Sequence, residues 1–106
     1  MPAIRSALLL LGVLALTTTG VRADDPDKGQ ALAQQWCSRC HDVAPGGAFK
    51  QYPPTFASIA VFRSSDQIYG RIMFPPLHAN MPEIGYILTP GNVDDLVAYI
   101  MSLETQ

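Results

Sequence analysis

The hydrophobic residues of this chain recur mainly at helical spacing. The clearest case follows Thr89-Pro90, where apolar positions fall at intervals of three and four residues and acidic residues lie between them. The apolar positions of this stripe are Val93, Leu96, Val97, Ile100 and Leu103. Thr89 is a good N-cap and Pro90 suits the first helical position. The pattern predicts a C-terminal amphipathic helix whose apolar stripe faces the core.

A second helix is predicted from about residue 26 to the cysteine pair. Asp25 is a suitable N-cap, and Pro26 is favoured at the first helical position. The residues at i, i+3, i+4 and i+7 along one face are Gly29, Leu32, Ala33 and Trp36. Because two of these residues are small, another helix can approach this face closely.

Proline and glycine interrupt the middle of the chain. Residues 42–54 contain three prolines and two adjacent glycines, which excludes a persistent helix or central strand. Residues 55–62 and 65–74 are short and partly apolar and predict two short helices, the second capped near Ser64. Residues 84–88 are the best strand candidate, but they are too few to change the fold class. The sequence therefore predicts an all-α domain.

The first 23 residues have the pattern of an export signal. Arg5 gives a basic start, residues 7–16 are an unbroken apolar run, and Val21-Arg22-Ala23 suits a signal peptidase. A bilayer span needs about 20 apolar residues, so a cleaved signal explains the short run better than an uncleaved anchor. We predict cleavage after Ala23, a mature periplasmic domain over residues 24–106, and no stable membrane span after cleavage.

Charge and size narrow the range of functions. Residues 24–106 hold five basic and nine acidic side chains, a formal charge of −4, which argues against a nucleic acid partner. A chain this short buries only about 60–65% of its unfolded surface, and such domains often need a disulfide, a metal or another staple. The only two cysteines, Cys37 and Cys40, lie three positions apart.

Cys37-Ser38-Arg39-Cys40-His41 is the one strong motif, because C-x-x-C-H is the attachment sequence for c-type haem. Two thiols at this spacing can each form a thioether with a haem vinyl group. The histidine that follows then lies beneath the iron as a proximal ligand. Export agrees with this interpretation. Outside the cytoplasm two free thiols tend to oxidise to a disulfide, and attachment to haem gives the pair another stable form. We predict one covalent haem c, with its iron, attached at Cys37 and Cys40 and ligated by His41.

Three other interpretations of the motif explain less. A simple disulfide is one of them. A thioredoxin-like redox pair follows a strand in a βαβ unit, which the pattern does not predict here. Half of a zinc site would require His41, adjacent to Cys40, to reach the same metal ion as the distant His78.

Met81 is the predicted sixth ligand of the iron. It lies in the proline-bounded segment 77–82 between two predicted helices, where a thioether can be directed at iron without breaking a helical face. Met73 and Met101 lie in predicted helices, where methionine most often fills space. His78 is an alternative ligand, although contact with solvent or a haem propionate is the stronger expectation for it.

Residues 24–106 resemble the class I cytochrome c family, specifically its short bacterial type. They share its C-x-x-C-H motif and the order of its helices and distal loop along the chain. The family's glycine eight positions before the first haem cysteine is Gly29, and Leu96-Val97-Ala98-Tyr99-Ile100 is similar to its Leu-x-Ala-Tyr stretch. Met81-Pro82 is similar to the methionine-proline step of its distal loop. One position departs from the family, because Ala33 stands where an aromatic residue is usual.

The resemblance implies a fold in which N- and C-terminal helices cross while short helices and loops wrap one haem. It also implies that Pro54 accepts the hydrogen bond of the proximal histidine, with Pro53 as a substitute. The implied function is non-enzymatic one-electron transfer between redox partner proteins, with His/Met axial ligation. A haem subunit of a larger dehydrogenase or sulfur-oxidising complex, and a gas-binding or peroxidase-like protein, are the alternatives. Whether the protein is a monomer or a subunit stays open.

Overall fold

The computed structural model describes residues 24–76 and 80–105. These residues form four α-helices: α1 (Pro26–Trp36), α2 (Phe56–Phe62), α3 (Ser65–Met73) and α4 (Pro90–Ser102). Two short 3-10 helices span Ile84–Tyr86 and Leu103–Thr105. The described part of the chain has no strand beyond an isolated bridge between Gln51 and Pro54. The all-α prediction is confirmed, and the strand candidate over residues 84–88 is wrong because its first turn is 3-10 helical.

Each α-helix begins where the sequence offers a cap. The Asp25 carboxylate accepts hydrogen bonds from the amides of Asp27 and Lys28 at 3.0 and 3.2 Å. The caps of the other three helices are Thr55, Ser64 and Thr89. These side chains satisfy amides that have no partner within the helix, which fixes where each helix starts. The loop over residues 42–54 contains neither helix nor strand, as its prolines predict.

Helices α1 and α4 cross at Gly29 with almost no space between their backbones. A Cβ atom at Gly29 would lie 1.9 Å from the Asp95 carbonyl oxygen and 2.8 Å from Tyr99 Cβ, so no side chain fits there. The Asp25 amide donates to Asp95 Oδ1 at 2.8 Å and joins the N-terminal end of α1 to the middle of α4. The crossing that the family resemblance implies is therefore present.

Helix α4 contributes the largest share of the hydrophobic core. Its whole predicted stripe is buried: Val93, Leu96, Val97, Ile100 and Leu103. Trp36, on the same predicted face of α1 as Gly29 and Ala33, is 37% exposed. Burial on α1 is confined to Gly29 and Ala33, where α4 is close, and Trp36 is the last residue of the helix.

Two predictions fall outside the described residues. The export signal over residues 1–23 and the alternative ligand His78 both belong to parts of the chain that the structure does not describe. Both stay predictions.

Candidate functional site

The segment from Cys37 to His41 forms a tight turn at the end of α1. Cys37 is the C-cap of the helix, and its carbonyl accepts hydrogen bonds from the amides of Cys40 and His41 at 3.1 and 2.9 Å. No disulfide joins the two cysteines, of which Cys37 is half-buried and Cys40 is exposed. Two thiols and an imidazole thus come from five consecutive residues.

A backbone carbonyl orients the His41 ring. Nδ1 of His41 lies 2.6 Å from the carbonyl oxygen of Pro54. Since a carbonyl oxygen only accepts, Nδ1 carries the proton and donates it. On the neutral ring this leaves Nε2 unprotonated, with a lone pair free to ligate a metal ion. The Phe56 ring packs beside the imidazole, with the two centroids 5.4 Å apart.

Two further hydrogen bonds fix the residues that follow His41. The amide of Phe56 donates to the carbonyl of Asp42 at 2.9 Å. The hydroxyl of Tyr99, on α4, donates to the carbonyl of Val43 at 2.5 Å. Sequence reasoning missed this second contact. A buried tyrosine predicts some partner for its hydroxyl, but not which one.

Burial raises the pKa of the Cys37 thiol to about 11. The thiolate is the reactive form of cysteine, and redox-active C-x-x-C pairs have a lowered pKa instead. In Cys37 burial acts in the opposite direction. The thioredoxin-like interpretation is disfavoured because a helix, α1, leads into the motif where that interpretation requires a strand.

A zinc site is also disfavoured. Within residues 24–76 and 80–105, no three His, Cys, Asp or Glu side chains converge on a point where they would hold a metal ion. A structural zinc ion needs four ligands from the protein. In a haem the porphyrin supplies four nitrogen ligands to the iron, so the protein does not need four converging side chains to hold it.

Several large apolar side chains are exposed in this small protein. They are Phe49, Tyr52, Val61, Phe62, Phe74, Tyr86 and Ile87. Phe49, in the loop after the motif, and Phe62, at the end of α2, form an edge-to-face pair with centroids 6.1 Å apart. Singly exposed apolar residues are ordinary on a protein surface, so only the contacting Phe49–Phe62 pair is counted here. The two cysteines and the oriented imidazole fit one haem.

Met81 is half-buried and packs against the hydrophobic core. It lies outside any helix, between α3 and the 3-10 helix that begins at Ile84. Met73 and Met101 are also half-buried against the core, and they lie in α3 and α4 as predicted. The packing prediction for these two methionines agrees with their positions.

Comparison with known proteins identifies the family. Residues 24–100 match the family described as cytochrome c oxidase, cbb3-type, subunit III. The chain is also 35% identical over 104 residues to cytochrome c-552 of Bradyrhizobium diazoefficiens, which covers 95% of each chain. The chain belongs to the class I cytochrome c family. No solved structure matches it closely enough to count as a relative.

As a class I cytochrome c, the protein carries one covalently bound haem c with its iron and acts as an electron carrier. The predicted cofactor and fold class are confirmed. None of the helices in the described ranges is long and apolar enough to cross a membrane.

Proposed function

We propose that the protein is a periplasmic one-electron carrier whose haem is attached at Cys37 and Cys40 and ligated by His41 and Met81. The observation that carries this proposal is the 2.6 Å contact between His41 Nδ1 and the Pro54 carbonyl oxygen. It sets the tautomer in which Nε2 is free to ligate iron, directly after a turn that holds two cysteines.

The residues of the chain have separate roles in this proposal. The bound haem supplies the redox couple. Pro54 orients the imidazole and makes it a stronger base through the Nδ1 hydrogen bond. Phe56 packs against the imidazole and helps to exclude water. Cys37 and Cys40 hold the macrocycle in place, so that electrons pass to a docked partner without movement of the ligands.

Met81 is the proposed ligand on the opposite side of the iron. Its position outside a helix leaves the thioether free of a helical face, whereas Met73 and Met101 belong to α3 and α4. A thioether ligand in place of a second imidazole favours ferrous iron and raises the reduction potential. We therefore expect a relatively oxidising carrier.

The proposed cleavage site leaves helix α1 intact. This helix is capped by Asp25, two residues beyond Ala23. Cleavage there would leave the cap and the helix complete. The intact mass of the protein purified from a periplasmic extract tests this, and a mass that retains residues 1–23 would contradict cleavage.

Spectroscopy and redox titration of Met81→Ala test the ligand set, with Met101→Ala as the matched control. Both variants should keep covalent haem. Only Met81→Ala should lose the far-red sulfur-to-iron band of the oxidised protein, lower the potential and bind carbon monoxide when reduced. Survival of the band and the potential in Met81→Ala would exclude Met81 as the ligand. Carbon monoxide binding by the native reduced protein at neutral pH would favour the gas-binding alternative.

A second candidate is a haem subunit of a larger complex. The match to a family described as subunit III of a cbb3-type oxidase favours it. Gel filtration of native extract separates the candidates, since a free carrier elutes as a small protein and a subunit elutes with its complex. In either case the formal charge of −4 over residues 24–106 favours faster association with a basic docking face at low salt.

A further inference from the structure

Tyr99 connects the C-terminal helix to the residues that follow the cysteine turn. Its hydroxyl donates to the Val43 carbonyl at 2.5 Å across a separation of 56 residues in sequence. Val43 lies two residues after His41. Since Tyr99 is only 5% exposed, this hydrogen bond is shielded from water.

Tyr99 also contacts Gly29 of α1 and Phe56, the first residue of α2. Its Cβ atom lies over Gly29 of α1, where the two helices cross. Its ring centroid is 6.4 Å from that of Phe56, which in turn packs 5.4 Å from His41. Tyr99 therefore touches the helix crossing on one side and the aromatic neighbour of His41 on the other.

Apart from local bonds within residues 37–44, the other hydrogen bonds that hold residues 41–43 come from one region of the chain. The Pro54 carbonyl and the Phe56 amide fix this segment to the end of the loop and the start of α2. Among the hydrogen bonds of the described residues, the Tyr99 hydroxyl alone joins the segment to α4.

A phenylalanine would place the same ring over Gly29. Burying a hydroxyl costs free energy unless it is hydrogen-bonded, so what the hydroxyl adds to the ring is its bond to Val43, together with its interaction with the Gln30 side chain on α1. We propose that Tyr99 is a positioning residue. Its hydroxyl fixes residues 41–43 in place against α4 and thereby sets the orientation of the His41 imidazole at the iron. This inference rests on the proposed ligation by His41.

Tyr99→Phe in the haem-loaded protein tests the inference, because it keeps the ring and removes only the hydroxyl. We expect covalent haem to be retained. Hydrogen exchange at His41 Nδ1 and at the Phe56 amide should become faster by about three- to tenfold, the effect of losing one net hydrogen bond. The hyperfine-shifted proton resonances of the His41 ring should move in the NMR spectrum of the oxidised protein.

Ser102→Ala is the matched control. The Ser102 hydroxyl donates to the Tyr99 carbonyl at 2.5 Å, so this variant also removes one hydrogen bond from α4 without touching residues 41–43. Its His41 resonances and local exchange rates should match those of the native protein. Equal effects of both variants, or unmoved His41 resonances in Tyr99→Phe, would show that Tyr99 only packs.

Two further measurements keep the test decisive. If Tyr99→Phe does not fold, exchange of the Tyr99 hydroxyl proton in the native protein is measured instead. Slow exchange supports the hydrogen bond to Val43, and exchange as fast as that of an exposed tyrosine overturns the inference. If the native protein has no hyperfine-shifted His41 ring resonances, the proposed ligation itself fails, and this is seen before any variant is compared.

Discussion

The helix crossing, formed by α1 and α4, and the motif side, defined as residues 37–62, are packed differently. At the crossing Val93 and Leu96 are 0% exposed, and Gly29 leaves no room even for a methyl group. On the motif side Phe49 and Phe62 are 72% and 66% exposed. The crossing is complete with protein atoms alone, whereas the motif side holds apolar surface that a cofactor would cover.

On the proposed attachment at Cys37 and Cys40, the haem would belong to the core as well as supply the redox couple. A domain of this length buries too little surface to be secure by itself. Covalent attachment next to α1 would add a large apolar group to the motif side. Stability should then depend on the haem on the motif side and on close helix contact at the crossing.

The largest expected effect comes from removing both attachment points. The double variant Cys37→Ala/Cys40→Ala should bind no haem covalently and should be largely unfolded, because ligand binding and folding are coupled in such a domain. Circular dichroism and denaturant unfolding, compared with those of the haem-loaded protein, measure this. The single variant Cys40→Ala, which keeps one thioether, should be intermediate. A colourless double variant that unfolds cooperatively would show that the motif side is stable without haem.

Gly29→Ala tests the crossing directly. The added methyl group would overlap the Asp95 carbonyl oxygen, so the helices must separate. We expect a loss of about 3 kcal/mol in the free energy of unfolding, the upper end of the usual cost of overpacking, measured by denaturant unfolding.

Gly70→Ala is the control for Gly29→Ala. Gly70 lies inside α3, and nothing comes within 4 Å of a Cβ atom there. Replacing a helical glycine with alanine should therefore stabilise the protein by about 0.5–1 kcal/mol. Similar results for the two variants would mean that the crossing is not closely packed.

The crossing was also the region that the sequence predicted best. Asp25 and Thr89 are local start signals, and the stripe from Val93 to Leu103 has a clear helical period, so local and tertiary preferences agree there. Trp36 shows the limit of helical periodicity as a predictor of burial, because it lies on the apolar face of α1 and is still 37% exposed. The period does not reveal where along α1 the partner helix is no longer close. Ile84 begins a 3-10 helix although its segment has β-branched and aromatic residues that also suit a strand.

The proposed site depends on the sequence to different degrees. Spacing alone predicts Cys37, Cys40 and His41, because attachment and ligation chemistry fix that spacing. The contact between His41 and Pro54 was implied only by family resemblance, since a carbonyl 13 residues away leaves no local pattern. The bond between Tyr99 and Val43 had no sequence signal, because it depends on how α4 packs across the chain.

Thr89→Ala should have a moderate effect at the crossing. The Thr89 hydroxyl accepts a hydrogen bond from the Asn92 amide at 3.2 Å, and the Asn92 side chain bonds back to the Thr89 amide. Loss of this cap should lower the free energy of unfolding by about 1 kcal/mol. Thr89→Ser keeps a hydroxyl and should stay within a few tenths of a kcal/mol of the native value. Equal losses in both variants would assign the effect to the methyl group instead of the cap.

The smallest expected effect concerns the bond that joins the two regions, Tyr99 to Val43. Burial and the nearby Asp42 carboxylate raise the pKa of Tyr99 above its ordinary value of 10.0, although a hydrogen bond with Gln30 lowers it. Because the pKa is higher in the folded state, the stabilising contribution is complete below about pH 10 and is lost as the pH rises through the folded-state pKa. Phenylalanine at position 99 has no such dependence.

The difference in unfolding free energy between the native protein and Tyr99→Phe should therefore be constant from about pH 7 to 9 and should narrow above about pH 10. Denaturant unfolding of both haem-loaded proteins at each pH measures it. Tyr86→Phe is the control, because Tyr86 is 89% exposed and its substitution should leave only a small difference in unfolding free energy. If the difference for Tyr99→Phe is unchanged at about pH 11, the hydroxyl bond does not couple the crossing to the motif side, and the two regions are joined by the backbone and apolar packing alone.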